Sequence, residues 1–130
     1  MEILVAEDNP INALLVKALL GKLGHNVTHA ENGALACEAV QKRSAANPFD
    51  AILMDLHMPV LDGMHAIARI RKFEGKSRKN RIIVLSVHGE AEQQAKALKC
   101  GADSYLTKPL DFEAVKELLD SESAPVRKSA

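Results

Sequence analysis

The sequence predicts an α/β domain built on a parallel sheet with helices on both faces, and three observations predict it. Five short apolar runs alternate with five segments whose apolar residues recur at helical spacing. The runs Ile3–Ala6, Ala51–Met54 and Ile82–Leu85 are continuously apolar, as strands buried on both faces are. Polar residues stand directly after most runs, and in a parallel sheet those positions share one rim. Right-handed crossovers make an open, doubly wound sheet the natural arrangement.

Each element follows from local chemistry. Ile3-Leu4-Val5-Ala6 is a buried strand that delivers Glu7 and Asp8. Asn9-Pro10 is a cap residue followed by proline at the first helical position, where its missing N–H costs nothing. The first helix runs to about Leu23 and stops at Gly24. It carries two apolar stripes, one of Val16, Leu19, Leu20 and Leu23, the other of Ile11, Leu14, Leu15 and Ala18. A helix lying on a sheet needs one; the surplus stripe is deeper core or a docking surface. Asn26 to Ala30 is a weaker strand, polar enough for a sheet edge. Asn32-Gly33 turns into a helix from about Ala34 to Arg43, with Leu35, Ala39 and Val40 inward.

Phe49-Asp50 leads into the third strand, which ends at Asp55. Pro59 and Asp62-Gly63 break the chain before Met64, Ile67 and Ile70 mark a third helix, capped by Asp62 or Gly63. Gly75 to Arg81 reads as a solvated basic turn. Ile82–Leu85 delivers Ser86, and a polar helix from about Glu90 to Lys99 ends at Gly101. Ser104–Thr107 is the fifth strand and delivers Lys108, followed by Pro109. Asp111 caps a last helix carrying Phe112, Val115, Leu118 and Leu119; beyond about Ser121 the chain is small, polar and aperiodic.

The bulk composition excludes more than it identifies. The chain has 130 residues, enough for one domain with a sizeable core. Its apolar fraction is 47% and its formal net charge zero, so nothing points to nucleic acid or an acidic membrane. No apolar run approaches the roughly 18 residues of a membrane span. Cys37 and Cys100 fit no metal spacing or disulfide framework and read as small hydrophobes in a reducing compartment. A cytoplasmic setting is expected.

The strand ends carry the chemistry. Glu7, Asp8 and Asp55 on one rim make an acidic cluster whose like-charge pairs each cost roughly 3 kcal/mol at ~6 Å and an effective dielectric constant near 20. Such a cluster calls for a cation, and its oxygen donors suit Mg²⁺. Lys108 adds a fixed positive charge and Ser86 a hydroxyl donor. These are the parts that stabilise a transferring phosphoryl group, with Asp55 as the plausible nucleophile.

Glu7-Asp8-Asn9, Asp55-Leu56-His57-Met58-Pro59 with Asp62-Gly63, Ser86, and Gly101-Ala102 leading to Tyr105-Leu106-Thr107-Lys108-Pro109 together resemble the receiver domain of two-component signalling. The style of the motifs is that of receivers fused to hybrid histidine kinases. The resemblance covers about Ile3 to Leu119, which sets a receiver domain at 1–120 and leaves 121–130 as a disordered tail or linker remnant. It implies a flavodoxin-like (βα)5 fold with strand order 2-1-3-4-5. It also implies that Asp55 accepts a phosphoryl group from a phosphohistidine, on a histidine kinase dimerisation and phosphotransfer domain or on a histidine phosphotransfer protein. On the same grounds Asp8, Asp55 and the backbone carbonyl of His57 hold Mg²⁺, with Glu7 acting largely through water. Lys108 then pairs with the phosphoryl group, and Ser86 moves toward it while Tyr105 turns inward as a switch. The first-helix stripe Ile11, Leu14, Leu15 and Ala18, with Pro59 and Pro109, becomes the docking surface. The implied protein is a signalling phosphoacceptor that catalyses its own phosphotransfer and dephosphorylation, favouring a monomer.

The sequence departs from the family in one place: Val87 follows Ser86, where alanine or glycine is usual, and its bulk narrows access to the phosphoryl site. His57 and His88 are either tuners of dephosphorylation or loop histidines without a role. A haloacid-dehalogenase-like phosphatase would carry its nucleophile after the first strand, with an aspartate two residues later. Here the best acid follows the third strand, and the residue two positions on is His57. A flavodoxin would need a phosphate-binding loop where Glu7-Asp8 stands, and more aromatic residues than the 3% present. A degenerate receiver kept only for docking would not need Ser86, Lys108 and all three acids.

Overall fold

Among the described residues, the apolar runs and capped amphipathic segments assemble as ten elements in strict alternation. In chain order these are β1 (Glu2–Ala6), α1 (Pro10–Lys22), β2 (Asn26–Ala30), α2 (Gly33–Lys42), β3 (Ala51–Asp55), α3 (Gly63–Glu74), β4 (Arg81–Ser86), α4 (Ala91–Cys100), β5 (Ser104–Thr107) and α5 (Phe112–Asp120). The computed structural model describes residues 1–43, 48–56, 63–74, 81–86, 91–107 and 112–120, without the side chains of 73, 74, 86, 91–93, 107 and 112. The expected tail from 121, the caps expected at Asp62 and Asp111, and residues 75–80 of the expected basic turn lie outside the described residues.

All strands are parallel, in the order β2-β1-β3-β4-β5 that the family resemblance implied. Period-two alternation explains why the central runs are apolar throughout. Leu4 and Ala6, Ile52 and Met54, and Ile82 and Val84 join one core with Ala36, Cys37 and Val40 of α2, Ala66, Ile67 and Ile70 of α3, and Ala97 of α4. Ile3 and Val5, Ala51 and Leu53, and Ile83 and Leu85 join the other, with Val16 and Leu20 of α1 and Val115 and Leu119 of α5. Among the described residues β2 pairs only with β1, which makes it an edge strand, as its polarity predicts.

The helix ends use the residues that the sequence marks for them. Asn9 Oδ1 accepts from the Ile11 and Asn12 amides at 2.9 and 3.1 Å, ahead of Pro10. Asn32 Oδ1 accepts from the Leu35 amide at 2.8 Å. Gly24 (φ 88°) and Gly101 (φ 120°) take the left-handed conformation after α1 and α4.

Two expectations need correction. Leu35 does not face inward; it is 42% exposed, because Gly33, Ala36, Cys37 and Val40 already fill the buried stripe of α2 and Leu35 flanks it. Arg81 is not part of a solvated turn. It opens β4 opposite Ala51, and its guanidinium donates to the Leu118 carbonyl. The cysteines behave as small hydrophobes. Cys37 is buried, with burial pushing its thiol pKa up, and half-buried Cys100 rests 3.9 Å from Met64 Sδ.

Candidate functional site

Register brings the acids together. β1 and β3 pair with Val5 opposite Leu53 and Ala6 opposite Met54, so the next positions, Glu7 and Asp55, fall side by side at the carboxyl end of the sheet. Adjacent strands lie about 4.8 Å apart. Asp8 follows as the chain turns into α1. Carboxylate oxygens of Glu7, Asp8 and Asp55 all lie within 4.8 Å of one another. Glu7 and Asp55 are buried, 1% and 4% exposed, whereas Asp8 is open to solvent.

The backbone around the cluster is held from several directions. The Glu7 amide donates to the Ala30 carbonyl at 3.0 Å, and its own carbonyl accepts from His29 Nε2 at 2.8 Å. Glu7 Oε2 accepts from the Asn9 amide at 3.2 Å, so the residue that caps α1 also steadies the acid before it. On the other side the Leu56 amide donates to the Leu85 carbonyl at 3.2 Å, and the Gly63 amide to the Leu56 carbonyl at 3.1 Å. This folds the start of α3 back against Asp55, where a β-carbon on Gly63 would overlap the Asp55 carbonyl oxygen.

Three carboxylates at this spacing repel by about 3 kcal/mol per pair at an effective dielectric constant near 20, less where Asp8 is screened by water. A hard divalent cation relieves that repulsion. Magnesium–oxygen distances of about 2.1 Å set ligand oxygens about 3.0 Å apart when adjacent and about 4.2 Å when opposite, and oxygens already within 4.8 Å of one another are near enough to converge on such an ion. The donor set fits Mg²⁺, leaving room for the waters that this ion retains.

The remaining expected residues are placed unevenly. Ser86 ends β4, one residue beyond the Asp55–Leu85 pair and opposite Thr107, which puts its backbone on the same rim. Tyr105 is half-buried on β5 opposite Val84, packed against the core beneath α2, α3 and α4. His57, Pro59, Lys108 and Pro109 lie outside the described residues. On α1, Val16 and Leu20 are buried and Leu19 half-buried, while Ile11, Leu14 and Leu15 are 68%, 66% and 63% exposed, with Ala18 exposed beside them.

Residues 3–120 match the response regulator receiver domain pattern. The chain belongs to this family. It is a receiver domain of two-component signalling. Its relatives include the sensor protein GacS of Pseudomonas syringae pv. syringae, 39% identical over 83% of this chain and 12% of that protein. The chain spans between 7% and 16% of the length of the first curated relatives it matches, which are histidine kinases and sensor proteins. Among solved structures, the receiver domain of sensor histidine kinase PA1611 from Pseudomonas aeruginosa PAO1 superposes with a TM-score of 0.81. It is 35% identical, over 92% of this chain and 93% of that one, and has a magnesium ion coordinated in its active site cleft. The co-crystal of the Saccharomyces cerevisiae histidine phosphotransfer signaling protein Ypd1 with the receiver domain of its response regulator Ssk1 matches with a TM-score of 0.81. There the identity is 30%, over 92% of this chain and 86% of that one.

Two features of the receiver site escaped the sequence reading. In the sequence Gly63 reads as a cap or turn residue, and its close approach to Asp55 shows only once β3 and α3 are placed. His29 has no motif around it; its contact depends on the β1–β2 register.

Proposed function

We propose that Asp55 is the phosphoacceptor of this receiver domain, and that Glu7, Asp8 and Asp55, with the His57 carbonyl, hold the Mg²⁺ that the transfer requires. The observation that carries this reading is the carboxylate cluster: three acids from two adjacent strand ends, within 4.8 Å, two of them buried. A bound divalent cation supplies neutralisation of phosphoryl-oxygen charge. The chain's own residues do the rest. A carboxylate oxygen of Asp55 attacks the phosphorus of a phosphohistidine, a P–O bond forms as the P–N bond breaks, and the electron pair returns to the imidazole. Burial of Asp55 at the end of a rigid central strand fixes the attacking oxygen. Lys108 and Ser86 bind the phosphoryl oxygens, and Tyr105 reports the change across β5. Hydrolysis of the acyl phosphate at the same site resets the domain.

The donor is a histidine kinase phosphotransfer domain or a histidine phosphotransfer protein, seated on the exposed α1 stripe of Ile11, Leu14, Leu15 and Ala18. This rests on the exposure of three large apolar residues at helical spacing next to the rim, and on the phosphotransfer complex formed by a structural relative. The free cysteines suit a cytoplasmic setting. The test is incubation with Mg²⁺ and acetyl phosphate, followed by intact mass. One phosphoryl group per chain is expected, absent in Asp55→Asn and absent with a chelator; an unmodified wild-type chain overturns the reading.

A further inference from the structure

We propose that His29 is a positioning residue for the divalent-cation site, an inference that rests on the reading of Glu7 and Asp8 as metal-holding acids. The argument begins with where the β1–β2 ladder stops. Pairing ends at Ala6 opposite Ala30, so Glu7 is one residue past the last pair. Its amide still reaches the Ala30 carbonyl, but its carbonyl belongs to the peptide that joins Glu7 to Asp8, where β1 gives way to the loop before α1. His29 Nε2 donates to that carbonyl at 2.8 Å.

The bond fixes the tautomer: Nε2 carries the proton, since a carbonyl oxygen only accepts. It also fixes a plane. The Glu7–Asp8 peptide is rigid, so holding its carbonyl oxygen restrains the rotation of the whole unit and with it the position of the Asp8 α-carbon from which the side chain departs. Asp8 is exposed and rests on no core of its own, whereas Glu7 and Asp55 are buried. One imidazole hydrogen bond therefore aligns the one acid of the three that burial does not align. His29 makes this contact from an edge strand, opposite Val5 and with its own side chain exposed, so its identity is not dictated by packing. A group bonded directly to a metal ligand contributes tenfold or more to metal affinity; His29 acts through the backbone next to Asp8, and its effect is correspondingly smaller.

The test compares three variants by Mg²⁺ titration calorimetry, with the thermal midpoint of each measured in chelator. His29→Leu keeps the size and removes the donor. His29→Gln keeps an N–H at about the reach of Nε2. His29→Asn keeps polarity but is one methylene shorter. Mg²⁺ binding is expected to weaken about three- to tenfold in His29→Leu and His29→Asn, the range that one hydrogen bond carries, and to stay at the wild-type value in His29→Gln, whatever the midpoints do. Wild-type affinity in both His29→Leu and His29→Asn overturns the proposal, as does equal weakening in all three. Asp8→Asn separates this from failure of the underlying reading. If the wild-type chain binds no Mg²⁺, or Asp8→Asn binds it unchanged, the metal site itself is wrong and the role of His29 falls with it.

Discussion

Gly63 packs its α-carbon so closely against Asp55 that a β-carbon there would overlap the Asp55 carbonyl oxygen and sit 2.8 Å from Leu56 Cα. Both obstacles are backbone, which cannot rotate aside as a side chain can. Gly63→Ala must push α3 away from the end of β3 or displace Asp55 itself. The expected cost is about 1–3 kcal/mol of stability in urea denaturation, the range for forced overpacking. Phosphorylation by acetyl phosphate should slow along with it, because the residue that moves is the proposed acceptor. A variant with wild-type stability and rate would show that the approach is looser than described.

A second prediction concerns the opposite end of the sheet. Arg71 of α3 donates from Nη2 to Asp103 Oδ2 at 2.8 Å and from Nε to the Gly101 carbonyl at 2.9 Å. The same Asp103 oxygen accepts from the Ile82 amide at 2.9 Å, so one carboxylate ties α3, the α4–β5 turn and the start of β4 together. Both side chains of the ion pair are largely shielded from water, at 12% and 17% exposure. Asp103→Ala takes the carboxylate from a largely buried guanidinium, which keeps the Gly101 carbonyl, and from the Ile82 amide, and should cost about 2–3 kcal/mol. Because this clamp lies at the amino ends of β4 and β5, the rate of phosphorylation of the folded protein should not change. Loss of rate without loss of stability would contradict the separation.

The difference between these two sites shows what could be read from the residues alone. Glu7, Asp8 and Asp55 were legible because each ends an apolar run, and parallel strands bring such ends to one rim whatever their order. The order itself was not legible from periodicity; it came from the likeness of motifs such as Glu7-Asp8-Asn9 to a known family. Leu35 was misread because alanine, glycine and cysteine also fill a buried stripe, and the pattern gives more weight to leucine. Gly63 against Asp55, His29 against Glu7 and Arg71 against Asp103 join residues 8 to 32 apart. Such contacts depend on register and helix placement, which hydrophobic periodicity does not encode.

A third prediction follows from the Glu2 carboxylate at the foot of β1. Asn26 Nδ2 donates to it at 2.7 Å and Arg43 pairs with it at 3.1 Å. The hydrogen bond from Asn26, and then Arg43, hold its pKa below the usual carboxylate value, which is about 4.3 for glutamate. The folded state therefore favours the ionised form. The resulting stabilisation is fully present above the unfolded-state pKa and is lost as pH falls through the depressed folded value. Glu2→Gln should flatten that part of the stability–pH curve, and the wild-type advantage should shrink toward acid. Because the group is exposed, added salt should reduce the effect at every pH.

The last prediction separates docking from chemistry. Ile11, Leu14 and Leu15 lie on the solvent side of α1, away from Val16 and Leu20 in the core. Replacing exposed residues rarely changes stability by more than about 0.5 kcal/mol, so Leu14→Glu and Leu15→Glu should unfold at the wild-type urea midpoint within that margin. If the stripe seats a phosphotransfer partner, each introduced charge would be desolvated in the complex, which costs about 2 kcal/mol or more when no opposite charge meets it. Phosphotransfer from a phosphorylated histidine phosphotransfer protein that serves the wild-type chain should then fall by about 30-fold, the rate equivalent of that cost. Acetyl phosphate is too small to use the stripe, and its reaction should be unchanged. Equal phosphotransfer rates in wild type and both variants would remove α1 from the docking surface while leaving Asp55 as acceptor. A parallel loss with acetyl phosphate would instead place the damage at the acidic rim.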